Sequence, residues 1–249
     1  MDKRFMLKAL CYCCLALLSF TQTIQAKENS NNIVVKPFIA EYNILRKSSP
    51  VGTGIRELKH LDNGQFEYSY HTDIEWLIFS DNRKETSTVS IVDNKVIPTH
   101  YHYLREGTGR DKEYEWRYDL TNNKAIDVKK KREKSVDFPE NIQDKLSYHL
   151  QNRINLLNDP TQKHFVYPVI STSGSIKNYV YTYEGEEELM LPYGLVKTIK
   201  LKREVIEKKR ITYAWFAPEL DYLMVKLYQA KSGVEQFEAQ LTKLSVSEK

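Results

Sequence analysis

The sequence predicts a mainly β fold: a curved antiparallel sheet or incomplete β-barrel, with one amphipathic helix on or near its open face. Nine stretches alternate apolar and polar residues and are rich in aromatic and β-branched side chains, the pattern of half-buried strands. Clusters of Gly, Asn and Asp separate them, as expected for tight turns between antiparallel neighbours. One segment changes instead to the three-to-four-residue spacing of a helix.

The alternating stretches follow one another along most of the chain. The predicted strands are residues 38–45, 65–74, 99–104, 114–120, 178–183, 196–201, 211–216, 223–228 and 234–241. The predicted turns are residues 50–52, 62–64, 93–95, 106–109, 121–123 and 231–233, and a shorter turn is expected within residues 75–82. We interpret Gly52, Gly54, Gly107 and Gly109 as turn glycines, since neither pair opens a helix that could hold a phosphate.

The predicted helix covers residues 141–157. Its apolar stripe consists of Ile142, Leu146, Leu150, Ile154 and Leu157. Asn141 is the expected N-terminal cap, and Asp144 would lie near the positive end of the helix dipole. The stripe is expected to pack against the open face of the curved sheet.

Residues 214–229, AWFAPELDYLMVKLYQ, place two carboxylates near a tryptophan and could suggest a catalytic corner. Pro218 cannot donate a ladder hydrogen bond, so it belongs in a bend between two strands. Glu219 and Asp221 are then bend residues with no acid or base partner in view. We interpret this stretch as a hairpin.

The first 26 residues have the layout of a secretory signal peptide, with a basic start, an apolar core at residues 9–20 and Ala26 at the expected cut. A membrane anchor is the alternative, although a span needs about 20 apolar residues. Residues 27–36 form a polar lead, and residues 37–246 are interpreted as one exported β domain. The exact cleavage position is left open.

Cysteine and charge exclude several classes of function. Cys11, Cys13 and Cys14 lie inside the predicted signal peptide, so an exported chain would have no disulfide, thiol nucleophile or zinc–thiolate site. Removing that segment lowers the formal net charge from +4 to about +2. This near balance argues against nucleic-acid binding. The basic run at residues 129–134 is interpreted as a solvated edge, with an anionic surface as the alternative partner.

Four segments together resemble a known family of exported bacterial proteins, domain of unknown function 3108 (DUF3108). They are residues 38–58, 143–157, 181–203 and 215–229, and the resemblance extends over most of residues 37–244. It implies a mostly β domain in the envelope of a Gram-negative bacterium, in the periplasm, with no established catalytic residues. The strands around Trp215 are more distantly similar to the half-barrel carriers of lipoproteins, which implies a binding protein by analogy alone.

Tyrosine is abundant, with 17 residues in the chain, and many of them alternate along predicted strands. Side chains two residues apart point to one face of a strand, so these rings form stripes. They either fill the core of a wide sheet or line a concavity for an amphipathic ligand. Under the second interpretation the candidate ligand-binding residues are Tyr101, Tyr103, Trp116 and Tyr181.

Other chemistry is weakly indicated. His100 and His102 share a strand face, but a closed zinc site needs further ligands, so we assign no metal and no cofactor. None of the common hydrolase or metalloprotease motifs occurs, and the prediction is therefore a protein that is not an enzyme; an enzyme with a glycosidase-type pair among the many carboxylates is the alternative.

We therefore expect an exported protein that binds or transports an amphipathic envelope component, such as a lipid, glycan or peptide. The alternative is a structural or assembly factor that contacts another envelope protein through a sheet edge. We expect no nucleic-acid partner and no transmembrane segment after export. The sequence leaves open the ligand, the protein partner, the oligomeric state and whether an interior cavity is open.

Overall fold

The computed structural model describes residues 33–247, which form fourteen β-strands and one α-helix. The elements are β1 (Phe38–Arg46), β2 (Ser49–His60), β3 (Phe66–Trp76), β4 (Phe79–Val92), β5 (Lys95–Gly107), β6 (Lys112–Asp119), β7 (Lys124–Asp127), β8 (Arg132–Ser135), α1 (Ser147–Asn158), β9 (His164–Ile170), β10 (Ile176–Leu191), β11 (Gly194–Val205), β12 (Arg210–Ala217), β13 (Leu223–Lys231) and β14 (Val234–Val246). The predicted signal peptide lies outside the described residues. Within them, no helix is long and apolar enough to cross a membrane.

All fourteen strands belong to a single antiparallel sheet. Its order is β8-β7-β6-β5-β4-β3-β2-β1-β14-β13-β12-β11-β10-β9, so nearly every strand pairs with its neighbour in sequence. The exception is β1, which pairs with β14 and joins the two halves of the chain. The sheet curls without closing, since β8 and β9 remain as its edges. This confirms the predicted curved sheet or incomplete barrel.

The alternation in the sequence decides which side of the sheet faces inward. On β1, for example, Phe38, Ala40, Tyr42 and Ile44 are buried while the residues between them are more exposed. Neighbouring strands keep this register, so that Tyr101 on β5 lies opposite Trp116 on β6. The inner face therefore collects the aromatic rings, as their two-residue spacing predicted.

The helix lies inside the curve and differs from its prediction in two ways. Its regular turns begin at Ser147, after Leu146 at the N-cap position, and the side chain that holds the preceding turn is Asp144 rather than Asn141. The Asp144 carboxylate accepts hydrogen bonds of 2.8 and 2.7 Å from the backbone N–H groups of Leu146 and Ser147, and the Ser147 hydroxyl accepts one from the Asp144 N–H. This reciprocal pairing is a capping box. Asn141 has a positive φ of 59°, which excludes it from the helix.

The helix is buried on more than its apolar stripe. Ser147, Gln151, Asn152 and Arg153 are buried as well. The apolar stripe packs into the core as predicted, and the burial of these polar side chains shows that the helix is covered on its other side as well. The buried polar side chains find partners there: Arg153 Nε donates to the backbone carbonyl of Asp221 at 2.7 Å.

Gln143 and Gln151 tie the helix and the segment before it to both halves of the sheet. Gln143 Nε2 donates to the Val96 carbonyl at 2.8 Å, and the Val96 N–H donates to Gln151 Oε1 at 2.6 Å. The Gln143 backbone also pairs with β9, donating to Pro168 and accepting from Ile170. The segment thus bridges β5 to the edge strand β9 where the sheet fails to close.

The hairpin at residues 214–229 is confirmed, with β12 and β13 flanking a single turn of 3₁₀ helix at Pro218–Leu220. The predicted turn at residues 50–52 is wrong. The chain reverses at Lys47 and Ser48, which have positive φ, while Gly52 and Gly54 lie within β2. A Cβ at Gly52 would lie 2.1 Å from the carbonyl oxygen of Asp73, so this glycine permits close approach of β3.

Candidate functional site

The four candidate residues fall into two groups. Tyr101 and Trp116 are fully buried in the packed wall between β5 and β6 and line neither of the two cavities described below. Tyr103 is half-buried and lines the larger cavity, while Tyr181 is buried and borders the smaller one. Contact with a ligand therefore stays a prediction for Tyr103 and Tyr181, whereas Tyr101 and Trp116 are placed as core residues.

The larger cavity, the outer cavity, has a volume of about 660 Å³ and opens at one end of the curled sheet. The opening lies beside the hairpin turns that follow β1, β3, β5, β11 and β13. Its apolar and aromatic lining consists of Ile44, Val51, Tyr70, Ile74, Trp76, Phe79, Tyr103 and Phe237. A cavity of this size and lining suits a small amphipathic molecule.

The same cavity carries an excess of positive charge. Five of its lining residues are cationic and two are acidic, namely Arg46, Arg83, Arg105, Lys145 and Arg210 against Asp81 and Glu85. Asp81 is shared, because it accepts hydrogen bonds from Arg83 at 2.6 Å and from Arg105 at 3.0 Å. These two guanidinium groups hold the pKa of the Asp81 carboxyl below its usual value, against the opposing effect of burial.

The remaining cations near the opening have weaker partners. The guanidinium of Arg46 lies 4.6 Å from the centre of the Trp76 ring. Nε of Arg210 is buried and has no hydrogen-bond partner in the described part of the chain. The outer cavity therefore offers donors that its own residues leave unused.

An apolar hairpin tip stands beside the opening. Leu77 and Ile78, at the turn between β3 and β4, are 84% and 86% exposed. Trp76 and Phe79 flank them with stacked rings 6.3 Å apart and continue into the cavity wall. An apolar path thus leads from solvent into the interior.

A smaller cavity, the inner cavity, lies next to the outer one and has a volume of about 160 Å³. Both cavities are lined by Tyr70, Glu85, Lys145 and Gln229. The inner cavity is bordered in addition by Arg56, Arg203, His149 and Tyr181. The lining of the inner cavity thus adds charged and polar groups to those that both cavities share.

Glu85 is a half-buried carboxylate at the boundary of the two cavities. It accepts a hydrogen bond from the Tyr101 hydroxyl. Burial raises the pKa of its carboxyl, and nearby Lys145 together with the Tyr101 bond opposes that rise. Four of these lining residues were not predicted from the sequence: Glu85, Arg56, Lys145 and Arg203. Arg56 alternates with Leu58 on β2, and this charged residue at an inward position was an available signal.

The remaining predicted sites are at the surface. His100 and His102 pair with Glu115 and Glu113 of the neighbouring strand at 3.0 and 3.1 Å. No cluster of three metal-ligating side chains occurs between residues 33 and 247. The basic run at residues 129–134 covers the turn between β7 and β8 and the edge strand itself, with Lys129 paired to Glu113 at 2.6 Å. This is the solvated edge that the sequence predicted.

Comparison with known proteins settles the family. The sequence pattern of the protein family of unknown function DUF3108 matches residues 65–242, well over half of the chain. The chain belongs to the DUF3108 family. Both cavities are built mainly from residues within the matched range of this DUF3108 protein, with Ile44, Arg46, Val51 and Arg56 contributed from before it. No curated protein matches the sequence.

One solved structure shares the fold of this DUF3108 protein. The β-barrel-like DUF1849 protein from Brucella abortus aligns with a TM-score of 0.58 at 10% identity, covering 87% of this chain and 100% of that one. A lipoprotein-like protein from Parabacteroides distasonis ATCC 8503 aligns with a TM-score of 0.33 at 9% identity, covering 85% of this chain and 96% of that one. The first of these supports the barrel-like fold.

Proposed function

We propose that this DUF3108 protein binds an amphipathic envelope component in its outer cavity and is not an enzyme. The observation that carries the proposal is the open hollow of about 660 Å³, which combines an aromatic and aliphatic wall with unused cationic donors. A purely structural core would close such a space, because protein interiors pack densely and empty apolar volume is destabilising.

The exposed tip at Leu77 and Ile78 supports exchange of the ligand with a lipid surface or a partner protein. Apolar side chains that are almost wholly exposed have no packing role in the free protein. Their continuity with Trp76 and Phe79 gives an apolar chain a path along apolar side chains into the cavity.

The assembly-factor alternative receives less support from the sheet edges. The edge strand β8 has only four residues, Arg132–Ser135, and three of them are charged. Short charged edges resist pairing with another strand. The other edge, β9, is partly occupied by the backbone of Gln143.

The test is binding of the uncharged fluorescent probe N-phenyl-1-naphthylamine to protein stripped of co-purifying lipid. We expect saturable fluorescence enhancement, and we expect Tyr103→Ala to weaken it at least about threefold by removing part of the cavity wall. Tyr193→Ala, at an exposed turn position outside both cavities, is the matched control. Absence of saturable binding by the unaltered protein would refute the proposal.

A further inference from the structure

Arg56 is a buried cation without a carboxylate partner. It is 3% exposed, and its Nη1 donates to the Tyr68 hydroxyl at 2.7 Å. The rings of Tyr68 and Tyr70 lie 5.6 and 4.9 Å from its Cζ. Its Nε has no hydrogen-bond partner among residues 33–247. Burying an unpaired charge is costly, and such groups are normally paired or bind a ligand.

Two more cations face the inner cavity with Arg56. Arg203 reaches it from β11, with its guanidinium 3.5 Å from the centre of the Tyr179 ring. Lys145 reaches it from the turn before α1, with its Nζ 5.6 Å from the Tyr103 ring centre. In the described part of the chain, no carboxylate oxygen lies within 4.0 Å of the cationic nitrogens of any of the three.

The charges around the inner cavity do not balance. Glu85 is the one acidic residue among the lining residues that the structure describes, and the Tyr101 hydroxyl already donates to it. His149 adds no positive charge, because burial, followed by the charges of Arg56 and Arg203, lowers the pKa of its imidazole well below its usual value. Three cations therefore face a small cavity with one carboxylate.

The position of this space fixes the orientation of a ligand. The inner cavity of about 160 Å³ is large enough for a headgroup and too small for a long chain, whereas the outer cavity holds about 660 Å³. The two share Tyr70, Glu85, Lys145 and Gln229 as lining residues, so one molecule can occupy both. Its polar end would lie innermost and its apolar chain toward the opening.

We propose that the inner cavity binds the oxyanionic group, a carboxylate or a phosphate, of a single-chain acyl amphiphile whose chain lies in the outer cavity. This inference rests on the proposed function and specifies the ligand class. Arg56, Arg203 and Lys145 supply charge-assisted hydrogen bonds to the oxyanion. An anion there supplies the counter-charge that the three side chains lack in the protein alone.

The experiment compares three ligands with one twelve-carbon chain: dodecanoate, dodecyl phosphate and uncharged dodecanol. Each displaces N-phenyl-1-naphthylamine from delipidated protein below its micelle concentration. We expect at least one of the two anions to bind about tenfold or more tightly than the alcohol, equivalent to about 1.4 kcal/mol. The tighter of the two anions identifies a fatty acid or a phosphate monoester as the natural class.

The outcomes separate this inference from the proposed function. Equal affinity for dodecanol and both anions would overturn the anionic headgroup site while leaving amphiphile binding intact. Failure of all three ligands and of the probe to bind would overturn both proposals.

Two variants test whether the inner cavity binds the headgroup of the ligand. Arg203→Gln and Lys145→Gln alter half-buried side chains, and each is expected to weaken the preferred anion about tenfold while changing dodecanol affinity less than twofold. Arg117→Gln, at an exposed position on β6, is the matched control and should change neither. If both cavity variants keep the full preference for the anion, the inner cavity is not the headgroup site.

Discussion

The Tyr68 hydroxyl accepts a 2.7 Å hydrogen bond from Nη1 of Arg56, and both side chains are buried on the inner face of neighbouring strands. The phenol thus takes the place that a carboxylate usually holds beside a buried guanidinium. The rings of Tyr68 and Tyr70 and the Tyr68 hydroxyl oxygen hold the Arg56 side chain on the inner face of the sheet without neutralising its charge. The rings predicted from alternation consequently hold a cation in the hollow as well as filling space.

Tyr68→Phe should destabilise the protein by about 1–3 kcal/mol, because it leaves a donor of the buried Arg56 without its acceptor. Urea denaturation followed by tryptophan fluorescence would measure the change in the free energy of unfolding. Tyr193→Phe, at an exposed turn position, is the control and should lie within about 0.5 kcal/mol of the unaltered protein. Equal stabilities for both variants would show that this bond contributes nothing.

Gln151→Met should loosen the segment that bridges the open side of the sheet. It removes the acceptor of the buried Val96 N–H, a 2.6 Å bond, and should cost about 1–3 kcal/mol. Hydrogen exchange at the Val96 amide should accelerate along with this loss. Gln162→Met removes only an exposed local bond to His164 and should leave Val96 exchange unchanged. Unaltered Val96 protection in Gln151→Met would contradict the bridging role.

Asp144 predicts a dependence of stability on pH. Burial raises the pKa of its carboxyl from 3.8 to about 6, although hydrogen bonds from Ser147, Ser87 and Leu146 oppose the rise. The folded state therefore holds a proton more tightly than the unfolded state does. The contribution of this bound proton to the free energy of unfolding is fully present below about pH 4 and is lost as pH rises through about 6.

The matching variant is Asp144→Asn, which does not titrate and keeps a cap oxygen. The stability of the unaltered protein relative to this variant should fall by up to about 3 kcal/mol between pH 4 and pH 7. Urea denaturation of both proteins at several pH values measures that difference. A difference that stays flat, or grows with pH, would mean that Asp144 is ionised throughout.

Gly52→Ala should destabilise the sheet by more than about 2 kcal/mol, because its Cβ would lie 2.1 Å from the Asp73 carbonyl oxygen and 2.8 Å from Ile74 Cα. Both contacts are backbone atoms of β3, so relief requires the strands to move apart. Gly54→Ala is the control, since its nearest contact is the flexible Ile44 Cδ1 at 3.3 Å. Thermal unfolding should rank the two variants in that order, and similar losses would argue against the close approach.

Local patterns predicted nine of the fourteen strands, because one face of each of these strands meets the core and the other meets water, whereas β2, β4, β7, β8 and β9 lay outside the predicted strands. The two-residue alternation around Tyr101 and Trp116 therefore predicted correctly that both side chains lie on the inner face of the sheet. The predicted helix start at Asn141 was wrong. The observed start depends on reciprocal hydrogen bonds between Asp144 and Ser147, and the spacing of apolar residues in the sequence does not reveal those bonds. Gly52 was misassigned because a glycine can mark close approach of another backbone as well as a turn.

The sequence by itself determined that this is a curved β protein with rings gathered on one side, because alternation and turn chemistry act over a few residues. The tertiary structure alone decided which of those rings border a cavity and which fill the wall. It also brought Arg56, Lys145 and Arg203 together from β2, the turn before α1 and β11. Whether these three side chains meet depends on the curl of the whole sheet and on which strands become neighbours. No local pattern in the sequence encodes the distances between them.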